Sequence, residues 1–343
     1  MRENAAVVAR SSSPPPRSAP SLTSVPQLPA APRLAPNGAA GVVGKNDPIH
    51  LVRSVPFALI HLAPLAALFV DVRWQDWVVC GVLYVVRMFG ITAGFHRYFA
   101  HRAFRTGRVM QFLLAFLGTT SAQKGVLWWA GHHRHHHVHS DDEHDVHSPK
   151  RGFLWSHLGW ILAVKHDATP TERIRDFARF PELRFLNKHW LLPPTLLAVA
   201  LLLIGGWSML LIGFFLSTVL LWHGTFLVNS LAHVWGSRRF ATSDTSRNNL
   251  VIALLTLGEG WHNNHHHYCS TANQGFYWWE IDVSFYVIKA LQKLGLVWDV
   301  RTPHKDALAR NRLDHGVADP SVPSKALLAA GPTPQALALQ DAE

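Results

Sequence analysis

The chain has 343 residues, enough for one large domain or two small ones, yet 48% are apolar and only 16% charged, well below the roughly 25% of a soluble globular domain. Lys and Arg outnumber Asp and Glu by 32 to 22, a formal charge of +10, and 23 histidines nearly match the acids in number. Two cysteines, Cys80 and Cys269, exclude a disulfide framework, a four-thiolate zinc site and an iron–sulfur cluster, so any metal must rest mainly on nitrogen.

Residues 1–46 carry eight prolines among runs of Ser and Ala and are predicted to be a disordered tail. They lack the uninterrupted apolar core of a secretory signal, so no cleavage is expected. The Gly38–Gly44 run, GAAGVVG, lacks the spacing of a dinucleotide fingerprint and follows no strand. From Val55 the text turns apolar, with spans predicted at about 54–71 and 77–95, each near the roughly 20 residues that cross a bilayer. The apolar stretch from Val109 to Val126 is interrupted by Thr119, Thr120, Ser121, Gln123 and Lys124 and reads as an interfacial or re-entrant helix. Trp190 to Asn229 has no Lys, Arg, Asp or Glu. It is too long for one span and is broken at Gly205-Gly206, which predicts a helical hairpin over about 190–205 and 207–230.

The link between the first two spans holds Arg73 and that between the last two holds no cation, whereas Arg97, Arg102, Arg105, Arg108, Lys150, Arg238 and Arg239 flank the other ends. Short Lys/Arg-rich loops stay cytoplasmic, so both termini and the large polar segments are expected there, with the bilayer as partner. No nucleic-acid recognition motif accompanies the charge, and no nucleic acid is expected to bind. The expected fold is an all-α membrane protein: a domain over 47–302 with four transmembrane helices, a cytoplasmic helical cap carrying histidine boxes, and a flexible tail over 303–343.

The histidines cluster at the cytoplasmic ends. His96 and His101, five residues apart, sit about 140° apart on an α-helix and can meet only if the helix breaks. His133, His136 and His137 are at i, i+3 and i+4, as are His262, His265 and His266, and Asn229 and His233 are one turn apart. Nine imidazoles exceed one ion's capacity, suggesting two ions with four or five nitrogens each; imidazole alone suits iron, copper, zinc or nickel. His132, His135 and His267 fall off these faces. Asp141, Glu143, Asp145, Glu259 and Asp282 are near enough in sequence to orient the rings through their second N–H.

GITAGFHRYFAH (Gly90–His101), HRHHH followed by Asp145 and His147, KRGFLWSHLGW (Lys150–Trp160), NSLAH (Asn229–His233) and GEGWHNNHH (Gly258–His266) together resemble the integral-membrane fatty acyl desaturases of the acyl-CoA or delta-9 type, over about residues 50–302. RDFARFPEL and WWEID give the chain a bacterial look, and hence a cytoplasmic-membrane location. By matching position the resemblance implies nine ligands, His96, His101, His133, His136, His137, His233, His262, His265 and His266, holding two irons. Asn229 falls where an ordered water stands beside one iron, and Glu143, Asp145, His147 and Glu259 are expected around the ligands. The implied reaction uses dioxygen to remove two hydrogens from adjacent methylenes of a long-chain acyl thioester, acyl-CoA foremost, or an acyl lipid, leaving a cis double bond at delta-9. An unactivated methylene offers no acidic proton, so no catalytic acid or base is assigned and a redox metal must carry the chemistry.

Electrons require an external donor such as ferredoxin with an NAD(P)H reductase, drawn to the basic surface. Tyr84, Met88 and Thr92 step back in fours from His96, and Met88 lies about 12 Å below it, near the length of a nine-methylene tail. With Trp129 they are expected to line the substrate tunnel, Met88 or Tyr84 stopping the methyl end. Gly131-His132 stands where animal acyl-CoA enzymes have Arg-Asp, and Val146 replaces a proline; Lys124, Arg151 and Lys165 remain as cations for a carrier's phosphate. Two other functions fit the histidines, a lipid or alkane hydroxylase and a metal transporter or sensor. The latter would place its ligands midway through the spans.

Overall fold

The computed structural model describes residues 47–313, so the Pro-rich stretch at 1–46 and residues 314–343 lie outside the described residues. Of the expected C-terminal tail, residues 303–313 are described: they carry a short helix, and His267 donates through Nε2 to Ala307 O at 2.7 Å.

Helix α1 (Leu51–Leu62) runs into a 3₁₀ turn, Ala63–Phe69, and shows its apolar side chains outward, Val55, Leu59 and Leu62 all being more than half exposed. Helix α2 (Trp74–Phe89) begins where the Arg73 backbone N–H donates to Asp76 at 2.9 Å, and continues as a π-helical stretch, Gly90–Ala100. Strand β1 (Arg105–Thr106) pairs antiparallel with β2 (Val297–Trp298), tying the chain just after α2 to the end of the domain. Helix α3 (Arg108–Thr119) packs on the π-helical stretch so closely that a Cβ on Gly118 would meet the Phe95 ring at 2.4 Å. Helix α4 (Val126–His139) follows, then a π-helical segment, Trp155–Gly159, leading into α5 (Trp160–Leu162).

Short helices α6 (Arg175–Ala178) and α7 (Pro181–Lys188) precede α8 (Leu192–Ser208), which breaks at Gly206 with φ 72° and ψ −162°, a conformation suited to glycine. The chain then passes through π-helical Met209–Leu216 into α9 (Ser217–Asn229) and a 3₁₀ turn, Leu231–His233. Leu201 on one side of the break and Met209, Leu210 and Phe214 on the other share one apolar cluster with Val79 and Leu83 of α2. Helix α10 (Leu250–Leu255) is capped by Asn249, which accepts from Ile252 N; α11 (His262–His267) is a single histidine-rich turn and a half; α12 (Val283–Lys293) is capped by Asp282; and α13 (Lys305–Ala309) closes the described chain.

Among the described residues two helical stretches are long and apolar enough to cross a membrane, Trp74–Ala100 with 27 residues and Leu192–His233 with 42; Ser54–Phe69 and Arg108–Thr119 are shorter apolar helices. Forty-two residues would reach about 63 Å, twice the roughly 30 Å hydrocarbon core, so the Gly206 break is required in a bilayer. Arg87, fully buried on α2, joins three elements: it donates to Ser217 Oγ at 2.5 Å, Thr218 Oγ1 at 2.8 Å and Thr120 O at 3.3 Å. The main core packs Phe95, Phe99 and Phe104 against Leu114, Leu127, Leu183 and Ile288, clamping the end of α2 between α3, α4 and α12.

Candidate active site

Nine imidazoles meet where α2, α4, α9 and α11 end or cross. His101 N donates to His96 O at 3.1 Å, a five-residue hydrogen bond, and the two rings lie 4.8 Å apart between centroids. The expected helix break is a change of winding instead: the wider π turn stacks residues five apart, which an α-helix would splay.

His133 and His137 share one face of α4, while His136 lies about 100° from His137 around the helix. Helix α11 mirrors this arrangement: His262 and His266 are the i, i+4 pair and His265 is the odd member. The outcome is two groups. His96, His101, His133, His137 and His265 converge in one, and His136, His233, His262 and His266 in the other, the ligand atoms of each lying within 4.8 Å of one another.

The rings meet through Nε2. In the five-imidazole group His101–His133, His133–His137, His137–His265 and His96–His265 approach at 2.9, 3.0, 2.9 and 3.1 Å. In the other, His233–His262 and His136–His266 approach at 3.1 and 3.4 Å. Three rings give their Nδ1 proton to a carboxylate, His96 to Glu259 at 2.5 Å, His136 to Asp145 at 2.9 Å and His266 to Asp244 at 2.6 Å, while His233 Nδ1 bonds Thr245 Oγ1 at 3.2 Å, whose hydroxyl donates to Asp141 at 2.6 Å. With Nδ1 held by Asp145 and Asp244, the Nε2 atoms of His136 and His266 face each other at 3.4 Å, the placement two ligands of one cation need.

The electrostatics fit the same occupant. Burial alone would raise the Asp145 and Asp244 carboxyls, but His136 beside one and His266 beside the other outweigh it and hold both well below the ordinary range. Glu259, buried but set against His96 and Arg97, falls to about 2. Burial, then the neighbouring imidazoles, pushes His133, His137, His262 and His265 well below 6.5, so these rings stay neutral donors. Neutral rings backed by four ionised carboxylates suit two divalent cations, and the histidine clusters are compatible with a metal centre.

The surroundings depart from the sequence reading at several points. Glu143 does not join the site: the turn after α4 sends it to solvent, 3.6 Å from His144, while Asp141 and Asp145 turn inward. His147 lies against His136, with ring centroids 4.1 Å apart and planes tilted by 33°. Asp282 serves Arg97, not a histidine: buried Arg97 bonds Asp282 at 2.8 Å and Glu259 at 3.0 Å. Asp244 and Gln274 carried no sequence signal. Gln274 Nε2 donates to Glu259 at 2.9 Å and lies 3.3 Å from His96 Nδ1.

A cavity of about 410 Å³ reaches the five-imidazole group, and a smaller one of about 40 Å³ continues beyond it. Trp129, His133, Thr225 and Asn229 line both. Trp129 stacks on His133 with centroids 5.1 Å apart, and its Nε1 donates to Gln123 at 3.3 Å. Met88 and Thr92 line the smaller space. Tyr84 is not on its wall: its hydroxyl donates to Leu255 O at 2.6 Å, and it stands with Met88 over Gly224, where a Cβ would meet Met88 Cε at 2.9 Å and Tyr84 Oη at 3.0 Å. Lys124 lines the larger cavity paired with Asp167, while Arg151 and Lys165 are outside its lining.

Two imidazole groups beside a largely apolar cavity are compatible with a metal centre that meets an apolar substrate. The fatty acid desaturase family model matches residues 73–293, and the chain belongs to that family. It is a fatty acyl desaturase, an oxidoreductase. It is 37% identical over 262 residues to an sn-1 stearoyl-lipid 9-desaturase of Anabaena variabilis, covering 75% of this chain and 96% of the relative. It is 38% identical over 248 residues to a chloroplastic palmitoyl-monogalactosyldiacylglycerol delta-7 desaturase of Arabidopsis thaliana, covering 71% and 67%. An icosanoyl-CoA 5-desaturase of Limnanthes douglasii is 35% identical over 266 residues, covering 76% and 74%.

Proposed function

We propose that the chain inserts a cis double bond, at delta-9, into a long-chain fatty acyl group, using two irons and dioxygen. The observation that carries this reading is the division of nine imidazoles into groups of five and four beside a cavity that continues past them. Bound there, the irons supply the oxidising power that an unactivated methylene requires. The reaction balances with two hydrogens leaving adjacent carbons, two electrons and two protons arriving from outside, and dioxygen becoming two waters.

The protein's own contribution is positioning. Trp129, stacked on His133, fixes where the chain passes the metals; Met88 and Thr92 receive its methyl end; Asn229 lines that passage and would hold a water beside one iron. Glu259, Asp145 and Asp244 hold the Nδ1 protons of His96, His136 and His266, and Asp141 acts on His233 through the Thr245 hydroxyl, so that Nε2 is free to bind. A small acidic redox protein, a ferredoxin with its NAD(P)H reductase, delivers the electrons at the basic face. Four spans, over about 54–71, 77–95, 190–205 and 207–230, hold the domain of residues 47–302 in a bacterial cytoplasmic membrane, with the histidine-bearing cap and both termini on the cytoplasmic side.

Expression in a host, followed by mass analysis of its fatty acids beside a His136→Ala control, tests the reading. A new monounsaturated acid, two hydrogens lighter, present only with the unaltered chain is expected. Gain of one oxygen would instead identify a hydroxylase.

A further inference from the structure

Four tryptophans form one packed cluster that runs from a ring of the five-imidazole group to the protein surface. Trp129 stacks on His133, with centroids 5.1 Å apart and planes 21° apart. Trp129 and Trp155 both pack against buried Trp128 and Trp160, which stack on each other at 5.8 Å and 9°. Trp160 also approaches the four-imidazole group: its ring lies 5.2 Å from His147, itself 4.1 Å from His136. At the outer end Trp155 is half-buried beside exposed Phe153 and Leu154. Arg151 lies over the Trp155 ring at 3.3 Å and is matched by Asp47 at 3.0 Å, so no net charge stands against that ring.

The indole N–H groups share a second property. Trp129 donates to Gln123 Oε1 at 3.3 Å, Trp128 to His166 O at 2.7 Å and Trp155 to Val146 O at 3.2 Å, while Trp160 Nε1 is buried with no partner. Buried indole N–H groups usually find an acceptor, and a bare one calls for a reason. Amide oxygens accept hydrogen bonds but are too weakly basic to take a proton from an oxidised indole. A ring that loses an electron here therefore keeps its proton and remains a radical cation, which draws an electron from the next ring instead of settling as a neutral radical.

Chemistry able to attack a methylene is also able to oxidise an indole, one of the most easily oxidised side chains. Resting on the dioxygen chemistry proposed above, we propose a second activity: with no acyl chain bound, the tryptophan cluster carries electrons inward from a small thiol, and dioxygen is reduced to water without desaturation. Two electrons come from the redox donor, as in desaturation. The two that the C–H bonds would have given come one at a time through Trp155, Trp160, Trp128 and Trp129. Two thiols each lose one electron and one proton and join as a disulfide; two further electrons' worth of protons come from solution, and dioxygen becomes two waters. A thiol suits the task because electrons taken singly still end in a stable product. The cluster thereby spares the imidazoles and the substrate cavity from oxidation in the absence of substrate.

The iron-loaded full chain, in vesicles of dioleoyl phospholipid that hold no saturated chain, is supplied with a reductase, ferredoxin, NADPH and glutathione, and compared with the metal-free chain. One glutathione disulfide per dioxygen consumed is expected, and rapid freezing should trap a tryptophan radical in the electron paramagnetic resonance spectrum. Trp160→Phe interrupts the cluster in its middle and Trp155→Phe at its outer end. Both should lose disulfide formation, and peptides around Trp129 should then gain oxygen atoms in the mass spectrum. Trp155 is outside the cavity lining, so Trp155→Phe should desaturate saturated chains at the unaltered rate, which also shows that the variant is folded. Hydrogen peroxide as the product, disulfide formation unchanged in both variants, no trapped radical, or no dioxygen uptake without an acyl chain would each overturn the proposal while leaving the desaturase reading intact. Failure of the unaltered protein to desaturate saturated chains would overturn that reading instead.

Discussion

Replacing Asp145 by Asn tests the division of the imidazoles into two groups. Asp145 is fully buried, accepts from His136 Nδ1 at 2.9 Å and also receives the backbone N–H groups of Asp141 at 2.9 Å and His147 at 3.2 Å. Asn keeps the volume but removes the charge that fixes the His136 tautomer, so the cost falls on the four-imidazole group. Loss of one such supporting carboxylate weakens metal binding by about 10–100-fold, or about 1.4–2.8 kcal/mol. Glu259→Gln is the matched change on the other group, acting through His96. Iron competition against a graded chelator, read as iron per chain, should show one ion leaving early in each variant and the other held as in the unaltered protein. Loss of both ions together, or of neither, in Asp145→Asn would refute the assignment of His136 to a separate site.

Three further outcomes follow from particular contacts. Met88→Ala, alone or with Tyr84→Ala, should shift the acyl-chain profile towards longer chains, whereas Gly224→Leu, forced against Met88 and Tyr84, should shorten it; an unmoved profile in all three would remove this wall as the tunnel's end. Arg97→Leu leaves Glu259 and Asp282 as buried charges without their guanidinium and should cost about 3–5 kcal/mol, seen as a lowered denaturation midpoint in detergent. His166, buried and next to Lys165, is held down to about 4. It stays neutral in the folded protein while the unfolded ring protonates near 6.5, so its stabilising contribution is complete above pH 6.5 and is lost as pH falls towards 4, at up to about 1.4 kcal/mol per pH unit. Melting temperature against pH should therefore fall less steeply in His166→Phe, and parallel curves would count against this origin.

Much of the site was legible because metal binding constrains spacing. The i, i+3, i+4 histidines of α4 and α11 announce themselves in a single turn of helix, and the uncharged run around Gly206 shows where a long apolar helix must break. What spacing could not give was partition. His133, His136 and His137 look like one set of ligands, yet the 100° between His136 and His137 sends them to different groups once α11 crosses α4. The π-helical winding at Gly90–Ala100 was equally hidden; Gly90 and Gly94 bring that stretch close to Gly118 and Leu114 of α3, but their spacing does not announce a π turn. Asp244 reaches His266 from a loop 22 residues away, a distance that no local pattern encodes. Glu143 erred in the other direction: nearness in sequence placed it beside the histidines, but the turn after α4 points it to solvent.

The account stands most directly on the occupancy of the two imidazole groups. The Mössbauer spectrum of the reduced, iron-loaded full chain should contain two quadrupole doublets of equal area, one from an ion with five imidazoles and one from an ion with four, at two irons per chain. A single doublet at one iron per chain, or a protein that is fully active with zinc in place of iron, would contradict it.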